Sequence, residues 1–140
     1  MTTDIPGEHD TTSGSDTRDA RPLRDPLMRF VLLDEIARLA GEPQWAANDR
    51  NAIVLAKDAR FRMVLTVLRP GARFADKDGE ATFSLQLVTG SVTVARDEQQ
   101  LLLAPGEIAV VEAGASWFVE AAEESAVLMT LAWPEALAEV

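Results

Sequence analysis

The sequence predicts an all-β domain, an antiparallel sandwich or barrel preceded by one short N-terminal helix and a disordered N-terminal tail. Three observations carry that expectation. Beyond Asn51 the apolar residues alternate with polar ones at the two-residue period of a strand. The runs are short and recur at intervals of roughly 8–12 residues, each closed by a Gly, Pro or acidic turn. No segment beyond Asn51 offers the crossover helix that a parallel sheet needs. With 140 residues, 47% of them hydrophobic, the chain has the size of one domain and the apolar content of a packed core. No internal repeat suggests a propeller or solenoid.

Residues 1–26, MTTDIPGEHDTTSGSDTRDARPLRDP, hold few apolar side chains among Thr, Ser, Gly, Asp and Pro. This composition predicts a disordered tail outside a folded domain of residues 27–140. A helix is expected at about 31–41, where Leu32, Ile36, Leu39 and Ala40 share one face. Asp34 and Glu35 suit its positive end and Arg38 its negative end, with Gly41 expected as a left-handed cap. Asn48, Asp49, Arg50 and Asn51 read as a loop, and Trp45 as a packing anchor.

The barrel is expected over about residues 50–134. Ala52–Ala56 opens it, and Phe61–Arg69 follows, with Phe61, Met63, Leu65 and Val67 on one face and Arg62, Val64, Thr66 and Leu68 on the other. Thr82–Thr89 turns Phe83, Leu85 and Leu87 one way and Thr82, Ser84 and Gln86 the other. Ser91–Ala95, Gln99–Leu103, Glu107–Val111, Ser116–Glu120 and Ser125–Trp133 complete the set, separated by turns at Asp97-Glu98, Pro105-Gly106, Ala113-Gly114 and Glu123-Glu124.

Charge and composition exclude several functions. Thirteen Lys and Arg against twenty-three Asp and Glu give a net charge of −10, and no Lys or Arg follows Arg96. Nucleic-acid binding and attraction to an anionic membrane both need clustered cations, so neither partner is expected. No apolar run approaches the roughly 18 residues of a membrane span, and no signal-peptide segment opens the chain, so a cytoplasmic protein is expected. There is no Cys, and His9 in the tail is the only His. Thiolate chemistry is therefore absent, and the expected folded domain contains no imidazole.

Turn glycines recur at Pro70-Gly71 and Gly90, then at Pro105-Gly106-Glu107 and Gly114, and the last strand closes on Leu131-Ala132-Trp133-Pro134. This skeleton and this ending resemble the two motifs and the strand close of the cupin superfamily, in particular small single-domain bacterial, RmlC-like cupins. The resemblance spans about residues 50–134 and implies a double-sheet jelly roll. It also implies where a metal site would be. The His-x-His pair of the first motif falls on Asp76 and Asp78 and its Glu on Phe83. The His of the second motif falls on Trp117, with its Pro on Glu112 and its Asn on Ala121. The interval from Gly71 to Asp76 is one residue short of the family pattern. Phenyl and indole rings offer no lone pair to a divalent ion, so the family's metal ligands read as lost and no cofactor is expected.

The positions left are Asp76, Asp78, Phe83 and Trp117, with Glu80 and Glu112 beside them. Asp76, Asp78 and Glu80 in the run DKDGE read first as a solvated turn around Gly79, with a weak oxygen-ligand cation site as the alternative. Phe83 and Trp117 are expected on inward faces with Leu85, Leu87 and Val119, as core filling or as the lining of an aromatic pocket. Two functions follow. One is a non-catalytic, metal-free binding or structural module, with a small apolar molecule as a candidate occupant and a homodimer as the expected assembly. The other is a metal-independent acid–base enzyme of isomerase or lyase type using Asp76, Asp78 or Glu112.

Overall fold

The computed structural model describes residues 25–134, together with the backbone of two short strands, β1 (Thr11–Ser13) and β2 (Ser15–Thr17). β1 and β2 pair antiparallel where the sequence predicts no structure; these segments carry Thr, whose branched Cβ favours extended backbone. The rest of residues 1–24, and residues 135–140, lie outside the described residues.

The expected helix is α1 (Leu32–Ala40), with Asp34 and Glu35 in its first turn and Arg38 in its last. Its cap differs from expectation. Gly41 sits at φ −94°, in the right-handed region, and its N–H bonds to the carbonyls of Ala37 and Arg38. The chain there runs straight on into a second helix, α2 (Pro43–Ala47), which the sequence reading missed because Pro43 reads as a stop. Proline at the first helical position costs no hydrogen bond, and here it starts a helix.

The remaining strands are β3 (Arg50–Asp58), β4 (Phe61–Leu68), β5 (Arg73–Asp76), β6 (Thr82–Thr89), β7 (Val92–Arg96), β8 (Gln99–Leu103), β9 (Ile108–Val111), β10 (Trp117–Ala121) and β11 (Ser125–Ala132). They form a five-stranded sheet in the order β3-β4-β11-β6-β9 and a four-stranded sheet in the order β5-β10-β7-β8. All their pairings are antiparallel. β5 is the strand that sequence alone misses; it is short and mostly exposed, so little hydrophobic alternation marks it.

The two faces of the five-stranded sheet have different neighbours. Its inner face and the four-stranded sheet enclose the barrel core, built on Leu68, Phe83, Leu85, Leu87, Val127 and Met129 against Val92, Val94, Leu103, Trp117 and Val119. Its outer face packs Ile53, Leu65, Val67 and Ala126 against Leu39 of α1 and Trp45 of α2. Phe61–Leu68 therefore serves two cores at once, the alternation sending Met63, Leu65 and Val67 to the helices and Leu68 into the barrel. Trp45 is the anchor expected of it: Arg69 lies over its ring at 4.1 Å and donates to its carbonyl from Nη2 at 2.6 Å.

Candidate functional site

Two transverse rows of residues meet at one end of the barrel. In the four-stranded sheet, Asp76 of β5 is directly opposite Trp117 of β10, which is opposite Arg96 of β7. In the five-stranded sheet the matching row is Lys57, Arg62, Leu131, Phe83 and Val111, one from each of β3, β4, β11, β6 and β9. Strand alternation puts every member of a row on the same face. The burial of Phe83, Val111 and Trp117 in the barrel core, with Leu131 packed against it, identifies that face as the inner one.

The rings close the gap between the sheets. Phe83 is 1% exposed and Trp117 9%, and their centroids are 4.7 Å apart at an interplanar angle of 57°. Phe74, two residues before Asp76 on β5, meets Trp117 edge-on at 5.9 Å and 88°. These are the tilted and T-shaped arrangements that the aromatic quadrupole favours. Phe83 and Trp117, expected only on inward faces, touch in the barrel core, and Phe74 joins them without having been picked out.

Asp76 shares the row of Trp117 but at its exposed end, and the other three candidate carboxylates lie in the loops. Asp76, Asp78, Glu80 and Glu112 are all exposed. Asp76 Oδ1 accepts the Asp78 N–H at 2.9 Å, so this pair forms an Asx turn that carries the chain out of β5. Gly79 at φ +58° completes the turn, and its carbonyl accepts the Gly114 N–H at 2.8 Å, joining the two loops that carry the acids. Among the described residues no three His, Cys, Asp or Glu side chains gather in one place. Arg96 is fully engaged, donating from Nε to the Glu112 carbonyl at 2.8 Å and from Nη2 to that of Ala113 at 3.3 Å, with Nη1 on Asp97 at 3.4 Å.

Sequence reasoning missed Arg62. It lies on the inner face, partly buried, with Nε shielded from solvent and bonded to nothing. Its guanidinium lies 5.1 Å from the centre of the Trp133 ring, and burial pushes its pKa down from the usual value. The signal was present in the alternation of β4: Arg62 shares a face with Val64, Thr66 and Leu68, and a cation on a face that the fold reserves for apolar side chains asks for an explanation.

No protein-family description matches the sequence, and no characterised protein matches it by sequence. Solved structures do match. A cupin superfamily protein from Desulfitobacterium hafniense aligns with a TM-score of 0.62 at 17% identity over 81% of this chain and 99% of its own. The TT1209 protein of Thermus thermophilus aligns with a TM-score of 0.58 at 27% identity, over 69% of this chain and 92% of its own. The cupin domain of Schizosaccharomyces pombe Cnp3 aligns with a TM-score of 0.56 at 14% identity, over 61% and 62%. The shared feature is the antiparallel double sheet.

Proposed function

The chain has the cupin fold, and from that premise we propose that it is a non-catalytic, metal-free binding or structural module whose barrel takes a small, largely apolar molecule. The observation that carries this reading is the Phe83–Trp117 contact: two rings without lone pairs meet, buried, where the family resemblance locates an acid and an imidazole of a metal site. The donors remaining at the corresponding positions, Asp76 and Asp78, are exposed, and Asp76 is bonded into its own turn. That set, two exposed carboxylates with no imidazole or thiolate beside them among the described residues, supplies too few fixed donors to hold a transition-metal ion. An acid–base enzyme needs its carboxylates held against substrate, and the exposure of Asp76, Asp78, Glu80 and Glu112 favours the binding reading over it.

The expected homodimer and cytoplasmic location belong to the same proposal. β8 ends the four-stranded sheet and β9 ends the five-stranded sheet, and between them they expose Leu101, Leu102, Ile108 and Val110. Free edges carrying aliphatic side chains favour pairing with a second copy. No helix among the described residues is long and apolar enough to cross a membrane.

Elemental analysis combined with native mass spectrometry of the purified protein tests the proposal. The expected result is less than one tenth of an equivalent of Fe, Mn, Ni or Zn per chain and the mass of a dimer. One equivalent of any of these metals overturns the metal-free reading, and a monomer at micromolar concentration overturns the dimer.

A further inference from the structure

The inner face of the five-stranded sheet carries two cations directly opposite one another, Lys57 on β3 and Arg62 on β4. Cross-strand partners in an antiparallel pair bring their Cβ atoms to about 5 Å, where like charges repel. Both residues are partly buried, so water screens them less completely than it would on an open surface. Neither has an ion pair with a carboxylate among the described residues, although the chain has twenty-three Asp and Glu. Arg50, Arg69, Arg73 and Arg96, by contrast, each donate to a backbone carbonyl or a carboxylate. A partly buried cation pair without an anion is an unfavourable arrangement that a negatively charged ligand would relieve.

The surroundings give that ligand a shape. The Arg62 Nε–H is shielded and unpartnered, the guanidinium carbon lies 5.1 Å from the centre of the Trp133 ring, and no hydrogen bond among the described residues engages the group, whose planar fork of donors matches a carboxylate. Leu131, directly opposite Arg62 on β11, leads to Phe83, and so to the ring pair with Trp117. We propose that Arg62, assisted by Lys57, is the anchor for a small organic carboxylate whose apolar body lies along Leu131 toward the Phe83–Trp117 pair. This rests on the reading of the barrel as a metal-free binding module and assigns the chemical class of its ligand.

Isothermal titration of the full chain with benzoate, benzamide and inorganic phosphate tests it. Benzoate should bind saturably, with benzamide, the same ring without the charge, at least tenfold weaker and phosphate, the charge without the ring, weaker likewise. Arg62→Gln should weaken benzoate at least tenfold and Lys57→Gln by a smaller factor, with the far-ultraviolet spectrum unchanged. Benzamide binding as tightly as benzoate, phosphate binding more tightly, undiminished affinity in a folded Arg62→Gln protein, or no benzoate binding at tens of millimolar would each overturn the inference. The comparison of benzoate with benzamide on the unaltered protein needs no variant to fold. A tightly held metal found by elemental analysis would refute the metal-free premise, whereas metal-free protein indifferent to benzoate would refute the carboxylate anchor alone.

Discussion

The ring centres of Phe83 and Trp117 lie 4.7 Å apart, and because β6 and β10 belong to different sheets, this contact spans the two halves of the barrel. Both rings belong to a single core with Leu85, Val119 and Met129, so removing either opens a cavity that neither sheet closes without moving against the other.

Phe83→Ala should therefore cost roughly 3–5 kcal/mol, the range for deleting a fully buried aromatic side chain. Asp76→Asn should cost within about 0.5 kcal/mol, since the amide oxygen can still accept the Asp78 N–H, and Asp78→Asn similarly little because Asp78 is exposed. Urea unfolding of the three variants measures the contrast. A larger loss in the Asp variants than in Phe83→Ala would shift the stabilising role from the rings to the acids.

Gly79 and Gly106 separate backbone strain from collision. Both have positive φ, +58° and +90°, but a Cβ at Gly79 would run into the backbone carbonyl of Ala115, whereas nothing lies within 4 Å of one at Gly106. Gly106→Ala should cost the left-handed penalty of roughly 1–2 kcal/mol. Gly79→Ala should add an overpacking cost of roughly 1–3 kcal/mol, because the clashing group is backbone. Thermal midpoints would rank them, and equal losses would show that the loop at Ala115 yields freely.

How much of this was legible in the sequence depends on the element. β6 was legible because Phe83, Leu85 and Leu87 pack into the barrel core while Ser84 and Gln86 are only partly buried on the other face. The inward placement of Phe83 and Trp117 followed from that alternation and the turn glycines. β4 was legible as a strand but not in its consequences, because its two faces pack on two different cores and both are largely apolar. β5 was not legible: only Phe74 of its residues is partly buried, and its pairing partner β10 lies far along the chain. Arg62 escaped notice for a related reason. A single charge in an alternating run looks like a solvated position until the opposing sheet shows which face is inside.

If Arg62 is an anchor for a ligand, it should stabilise the ligand-free protein little or not at all. Its shielded Nε leaves a desolvation cost of roughly 1–3 kcal/mol uncompensated, against about 0.5–1 kcal/mol gained over Trp133. The first term is the larger. Arg62→Leu should thus leave the thermal midpoint unchanged or raise it by a few degrees. A fall corresponding to more than about 1 kcal/mol would mean that Arg62 has a partner within the chain that satisfies it.

The metal-site correspondence can be tested by rebuilding it with Asp76→His, Asp78→His, Trp117→His and Phe83→Glu. The structure favours three of the four positions, because Asp76 and Trp117 are directly opposite across β5 and β10 and the Trp117 ring already touches that of Phe83. Position 78 is the weak member. A His-x-His pair on one strand aims both rings to one side, but β5 ends at Asp76 and Asp78 lies beyond it in the Asx turn. Binding of Zn²⁺ or Ni²⁺ should appear by calorimetry, and the variant carrying only the changes at 76, 83 and 117 should retain most of it. Losing two large rings should lower stability by several kcal/mol without metal, with part of that recovered on saturation. A folded fourfold variant that ignores both metals would show that the register between Gly71 and Asp76 differs from the cupin pattern by more than the one missing residue.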